Sequence, residues 1–207
     1  MEYGIIVILL ILLVVAFIIV QETFAQLHWR KLVDNGDVSA IRELVEMETE
    51  HWRTSRVPRG TPTMLWHGVQ TVELLDVTDS AARLSCNAEG EFALNNGRRV
   101  ETSSPLAEGM KITKKLAEMA LYDVPNVKLD HVQIDVYTSF RDEGGHAEPR
   151  CILSTKVARR QVELVDWEEI SAVDFVSLNN GHYAAEDNGA MHPVEPLTWV
   201  EEPARSN

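Results

Sequence analysis

Acidic side chains on two predicted strands could form a pair for general acid–base chemistry. Glu89 and Glu91 alternate with other residues along the predicted strand 82–94, so both point to its polar face. Asp135 lies on a later predicted strand, 127–140, which a sheet can bring close to them. A pair of carboxylates can divide the roles of general acid and general base. The alternative interpretation is a charged strand face that is in contact with water.

No other chemical motif is complete in the chain. The seven histidines are scattered, and none has the H-E-x-x-H spacing or joins a His/Cys cluster. The sequence also lacks the G-x-S-x-G nucleophile elbow, the P-loop and the G-x-G-x-x-G turn. It therefore predicts no metal ligands, no cofactor-binding residues and no cofactor.

A second set of candidates lies on the pair of strands that follows the central predicted helix. Asp135 stands on the first strand, and Ser154 and Lys156 stand on the second, after a predicted hairpin loop at 142–146. This order resembles the core of the PD-(D/E)xK nucleases. The resemblance implies that Asp135 binds a divalent cation and that Lys156 orients the attacking water. Ser154 occupies the place of the second acidic ligand, which would impair metal binding.

Charge limits what this chain can bind. The formal net charge is -13, from 19 basic and 32 acidic residues. A field of that sign repels nucleic-acid backbones and anionic headgroups, so it argues against nucleic acid as a partner. An exposed Asp135 and Lys156 that form a cross-strand ion pair are therefore the alternative to a nuclease site.

The two cysteines, Cys86 and Cys151, have no C-x-x-C spacing. A disulfide between them is possible if the domain lies outside the cytoplasm. Two buried free thiols are the favoured interpretation, because buried free cysteines are common in domain cores.

The N-terminal part of the chain has the composition of a membrane anchor. Residues 4–20 carry no polar side chain, and a helix of this length rises about 25 Å. A cleavable signal peptide is the alternative, but the basic residues that should precede its apolar part are missing. Arg30 and Lys31 follow the apolar run, so the positive-inside rule favours a cytoplasmic soluble domain.

The rest of the chain predicts an acidic α+β domain. We expect a short N-terminus (1–3), the membrane helix (4–20), a stalk (21–36), the soluble domain (37–178) and an acidic tail with several prolines (179–207). Within the domain the predicted order is α-β-β-α-β-β-α, which favours an antiparallel sheet with helices on one face. In the tail, residues 193–200 indicate either a docking segment or a solvated tail whose Trp199 folds back on the domain.

Two functions remain open at this point. The leading hypothesis is a non-catalytic interaction module, or an accessory subunit of a membrane complex, held at the bilayer by residues 4–20. The alternative is a degenerate PD-(D/E)xK-like hydrolase, or a small-ligand domain, whose site is assembled from distant residues.

Overall fold

The fold is described from a computed structural model that covers residues 2–95, 97–141, 144–186 and 191–199; in residues 2–10 and 22–28 only the backbone is described. Helices and strands, in chain order, are α1 (Glu2–Asp34), α2 (Val38–Thr54), α3 (Thr63–Gln70), β1 (Glu73–Val77), β2 (Ala81–Asn87), β3 (Glu91–Asn95), β4 (Arg98–Ser103), α4 (Pro105–Tyr122), β5 (His131–Arg141), β6 (Ala147–Ala158), α5 (Arg159–Val162), α6 (Ala172–Leu178), β7 (His182–Ala185) and β8 (Met191–His192). The predicted α+β class is confirmed.

The first helix, α1, joins the predicted membrane segment to the predicted stalk without a break. It ends at Asp34, where Gly36 takes a positive φ of 73° that most side chains resist. Trp29 and Val33 pack against the core, so the C-terminal end of α1 is docked on the domain. Among the residues whose side chains the structure describes, which in the apolar run are 11–20 only, no helix has an apolar stretch long enough to cross a membrane.

Helices α2 and α4 begin where their capping residues predict. The Asp37 side chain accepts hydrogen bonds from the backbone N–H groups of Ser39 and Ala40, and the Ser104 side chain accepts one from Ala107. Pro105 follows Ser104 at the first position of α4, where its missing N–H costs nothing.

The main sheet has the strand order β1-β2-β5-β6-β7-β8. All neighbours in this order are antiparallel except β2 and β5, which run parallel. The expected purely antiparallel sheet is therefore wrong in one pairing. The long connection between these strands contains α4. It returns the chain to the end of the sheet at which β2 starts, so that β5 runs in the same direction as β2.

One face of the main sheet carries the hydrophobic core. Leu84 on β2, Ile134 on β5 and Val157 on β6 are fully buried there. Gly109 lets α4 approach closely, since a Cβ at this position would lie 3.0 Å from Cγ1 of Val136. The opposite face carries the polar side chains of the candidate site.

Two predicted strands have different limits in the structure. The sequence of residues 69–77 (VQTVELLDV) predicts a single strand, but the structure has the end of α3 followed by β1 there. Trp66 and Val69 are buried three residues apart, which is the spacing of one helix face. The predicted strand 82–94 is divided at Gly90 into β2 and β3, and β3 forms a separate hairpin with β4, a strand that the sequence analysis missed.

The C-terminal region is more ordered in the structure than the sequence predicts. Asp166, the predicted start of the last helix, caps only a turn, and α6 begins after Ser171. β7 and β8 lie within the predicted tail, and residues 193–199 follow them as an extended segment. Asn96, residues 142–143 of the predicted hairpin loop, and residues 187–190 and 200–207 of the predicted tail lie outside the described residues.

Candidate functional site

Asp135 lies near the middle of β5 and is fully buried. Its Oδ2 atom accepts a hydrogen bond from Nε of Arg83 at 2.8 Å, and Nη2 of the same guanidinium lies 2.8 Å from Oδ2 in an ion pair. Arg83 stands on the neighbouring strand β2, and its side chain is 23% exposed. The carboxylate is therefore neutralised by an arginine that itself reaches water.

The other oxygen of Asp135 orients two polar side chains. Oδ1 accepts from the Ser154 hydroxyl at 2.5 Å and from Nε2 of Gln133 at 3.1 Å. Gln133 stands two residues before Asp135 on β5, and Ser154 is directly opposite Asp135 on β6. All three side chains project from the same face of the sheet, because alternate residues of a strand share a face.

Residues 193–199, which we call the strap, cross this polar face. Ser154 uses its oxygen to accept from the backbone N–H of Leu197 at 3.0 Å, and Gln133 Nε2 donates to the Leu197 carbonyl at 2.9 Å. The Val194 N–H donates to the carbonyl of Cys151 at 2.9 Å. At the far edge of the sheet, Trp199 Nε1 donates to Oδ2 of Asp76 at 2.9 Å. Of the two alternatives left open for residues 193–200, this contact agrees with a Trp199 that folds back on the domain.

Lys156 does not form the expected ion pair with Asp135 among the described residues. It pairs in register with Gln133, whereas Asp135 pairs with Ser154 and is bound by Arg83. The expectation of an exposed aspartate on a wet strand face is also wrong. Asp135, the aspartate that the nuclease resemblance would make a metal ligand, has both oxygens occupied by protein donors.

Glu89 and Glu91 are not brought together as a catalytic pair with Asp135. Glu91 begins the separate β3–β4 hairpin and is exposed. Glu89 lines a cavity of about 180 Å³ between α3 and the end of β2, together with His67 and Asn87. This volume is below the ~300 Å³ at which small-molecule sites usually begin. Over residues 2–95, 97–141, 144–186 and 191–199, no group of three or more His, Cys, Asp or Glu side chains is placed to hold a metal ion.

The two cysteines are free and buried, as the favoured interpretation predicts. Burial first, and then the charge of Asp135, raise the pKa of the Cys86 thiol far above its usual range. The same two causes raise the pKa of Cys151 to about 11. Both groups are therefore neutral thiols at physiological pH and poor nucleophiles.

The β3–β4 hairpin exposes apolar side chains to water. Phe92, Leu94 and Val100 are 45%, 81% and 45% exposed. The guanidinium carbon of Arg99 lies 3.9 Å from the centre of the Phe92 ring, which is a cation–π distance. Nothing described in the domain covers this hairpin.

The sequence indicates Asp135 and Ser154 as candidates, but it does not show that Gln133 and Arg83 contact Asp135. The alternation of Gln133, Asp135 and Tyr137 within an otherwise apolar strand was the available signal, since it puts polar groups on one face. Arg83 could not be identified in this way, because it is 52 residues from Asp135 in the chain.

Comparison with known proteins gives no relative from which a role could be transferred. No family model matches the chain, and neither a curated protein nor a solved structure is similar to it.

Proposed function

We propose that this chain is a membrane-tethered interaction module, with its anchor in α1 and a non-catalytic α+β domain beyond it. The observation that carries the proposal is the exposure of α1. Large apolar side chains at residues 11–20 are exposed on every side of the helix, from 46% at Val15 to 69% at Leu13. The sequence continues this apolar run back to Gly4.

Exposure of this kind is costly in water. Each Leu, Ile, Val or Phe side chain gains about 1.5–3 kcal/mol when it is transferred from water to an apolar environment. The apolar residues surround the helix instead of forming one stripe, and an all-round apolar helix is typical of a segment that lipid encloses. The domain itself offers these side chains no cover.

The enclosed state of Asp135 supports a binding role for the domain over a catalytic one. A divalent cation at Asp135 would have to displace Arg83 from Oδ2 and the Ser154 hydroxyl from Oδ1. The strap also lies over this part of the sheet, through Leu197. The hydrolase alternative thus has no observation in its favour beyond the order of Asp135 and Lys156 along the chain.

Orientation follows from the few charges that flank the anchor. Arg30 and Lys31 stand on the C-terminal side of the apolar run, and no lysine or arginine precedes it. We infer that the domain faces the cytoplasm, because short basic flanks stay on that side. Protease added to sealed inverted vesicles should cleave the domain, whereas protease added to right-side-out vesicles should leave it intact.

Charge placed in the apolar run tests the anchor. The variant Leu12→Arg/Val15→Arg adds two charges that each cost about 2.5–3.5 kcal/mol at the centre of a membrane helix. The matched control is Leu164→Arg/Val173→Arg, which adds the same charge at exposed apolar sites of the domain. Full-length wild type and control should remain in the membrane pellet after alkaline carbonate extraction, and the anchor variant should move to the supernatant. Wild type in the supernatant with its first residues intact would remove the proposal.

Interaction is tested in the native state. Full-length protein, solubilised in a mild detergent and captured at several expression levels, should carry one or more stoichiometric protein partners. Recovery of this chain alone at every level would contradict the role of interaction module, whatever the outcome of the membrane test.

A further inference from the structure

The strap is held mainly through its backbone. Both backbone groups of one residue are recognised, since Ser154 accepts from the Leu197 N–H and Gln133 donates to the Leu197 carbonyl. A third contact, from the Val194 N–H to the Cys151 carbonyl, is also made by the backbone. Such contacts accept many sequences in an extended conformation, because every residue except proline offers the same groups.

The recognising side chains are held in place before any peptide arrives. Asp135 accepts from both Gln133 and Ser154, and Arg83 holds the carboxylate from its other side. The Ser154 proton is directed to Asp135, so its oxygen is left to accept an N–H. One Gln133 N–H is directed to Asp135, so the other points to a carbonyl. Pre-orientation of this kind reduces the entropy cost of binding.

The strap fits this surface incompletely. None of its side chains is fully buried, and an open groove of about 490 Å³ lies between residues 193–196 and the adjoining parts of β5 and β6, lined also by Tyr137, Arg150 and Cys151. The Gln133 Oε1 atom is buried and has no hydrogen-bond partner among the described residues. A buried acceptor without a partner is unfavourable, so a ligand that supplied a donor there would bind better than the strap does.

We propose that this sheet face is a peptide-binding site, which the strap fills within its own chain until an extended segment of a partner protein replaces it. The proposal rests on the interaction role proposed above and names the class of partner. The ligand is an extended peptide with an apolar residue at the place of Leu197. Two residues later it carries a side-chain N–H donor that can reach Asp76 as Trp199 does. A larger side chain at the place of Glu195 would enter the open groove.

The probe for this site is a fluorescent peptide with the sequence of residues 191–199, added to the full-length protein in detergent micelles. Binding is measured by anisotropy to wild type and to the variant Trp199→Ala, in which the internal strap is weakened. We expect binding to Trp199→Ala to be about tenfold tighter than to wild type, since one lost hydrogen bond changes an equilibrium constant by that order. Circular dichroism and a urea titration show whether the variant is folded.

Two modified peptides make the test specific without changing the protein. Methylation of the backbone nitrogen at Leu197 removes the donor to Ser154, and it should weaken binding by about tenfold for the same reason. The control peptide Thr198→Ala changes an exposed position and should bind like the parent.

Three results would overturn the proposal. The first is that folded Trp199→Ala binds no peptide at about 1 mM, the weak end of useful affinity. The second is that the methylated peptide binds as tightly as the parent peptide. The third is that two copies of the chain exchange straps to form a dimer, and that added peptide does not dissociate this dimer. These outcomes distinguish failure of the peptide site from failure of the proposed function. If the chain is membrane-bound and has protein partners but binds no peptide, only the peptide site is ruled out. If the chain binds the peptide but does not sediment with membranes, only the membrane tether is ruled out.

Discussion

Replacing Arg83 with methionine removes the positive charge that faces the buried carboxylate of Asp135. The change keeps much of the apolar stem of the side chain but removes the Nε donor and the Nη2 ion-pair partner, each 2.8 Å from Oδ2. At an effective dielectric constant of about 20, charges this close attract by about 6 kcal/mol before desolvation is subtracted. Loss of one partner of a buried pair typically costs 3–5 kcal/mol, and because Arg83 is 23% exposed we expect about 3 kcal/mol.

The matched control is the same substitution at an exposed pair. Arg42 donates from Nη2 to Oδ1 of Asp76 at 2.9 Å, but the two side chains are 38% and 36% exposed. Arg42→Met should therefore cost less than about 1 kcal/mol. Urea unfolding of the detergent-solubilised chain, followed by tryptophan fluorescence, measures both variants under one condition.

A double-mutant cycle separates the pair from other effects. Asp135→Asn removes the charge that Arg83 neutralises, so Arg83→Met should cost less in that background than in wild type, with a coupling of about 2 kcal/mol. The reasoning fails if Arg83→Met is no more destabilising than Arg42→Met, or if the effects of the two substitutions at the buried pair simply add.

Three further outcomes are expected. Gly68→Ala would place a Cβ 2.1 Å from Cδ1 of Ile112, so it should lower the free energy of unfolding by about 1–3 kcal/mol. The double variant Gly68→Ala/Ile112→Ala should lose less stability than the sum of the losses of its two single variants. A thermal melt of Gly68→Ala equal to that of wild type would show that α3 and α4 pack differently. The pKa values of the Cys86 and Cys151 thiols are raised in the folded state, so above the ordinary thiol pKa of 9.0 the unfolded chain releases protons that the folded state keeps. The free energy of unfolding should therefore fall as the pH rises from 9.0 towards about 11. That fall should be smaller in Cys86→Ala/Cys151→Ala, and equal slopes in urea titrations across this pH range would argue against the burial of the thiols. Trp199→Phe keeps an aromatic ring but removes the N–H donor to Asp76, so it should lower the free energy of unfolding by no more than about 1 kcal/mol. Hydrogen exchange at the Leu197 amide should become faster in this variant. Unchanged exchange would mean that Trp199 does not hold the strap in place.

Local signals were sufficient to predict the best-defined helices. Asp37 and Ser104 determine where α2 and α4 begin through side-chain contacts within three residues, and a sequence displays such contacts directly. The all-round apolar character of residues 4–20 is equally local. The favoured interpretation of two free thiols rested on the general tendency of cysteine to be buried, and the structure agrees with it.

Elements that depend on distant partners were predicted less well. The stretch 69–77 is compatible with either a strand or a helix when read alone, and only the packing of Trp66 and Val69 in the core decides that it begins as α3. The parallel pairing of β2 with β5 depends on where α4 returns the chain. Short stretches contain no information of this kind.

The candidate site shows the same division between local and distant contacts. Asp135 was identified from its strand, but Arg83 lies 52 residues from Asp135 in the chain and the strap residue Leu197 lies 64 residues from Gln133. The sequence alone therefore does not decide whether Asp135 is a reactive carboxylate or a structural one. Its contacts in the fold favour a carboxylate that orients Gln133 and Ser154.

Spin labels on the full-length chain test the tether most directly. In a Cys86→Ala/Cys151→Ala background, a nitroxide is attached at Leu12→Cys in one sample and at Leu164→Cys in another, and both are reconstituted into liposomes. We expect the label at position 12 to collide often with oxygen and rarely with a water-soluble nickel chelate, since oxygen dissolves preferentially in hydrocarbon, and the label at position 164 to show the reverse. Ready access of the nickel chelate to position 12, equal to that at position 164, would contradict the membrane tether.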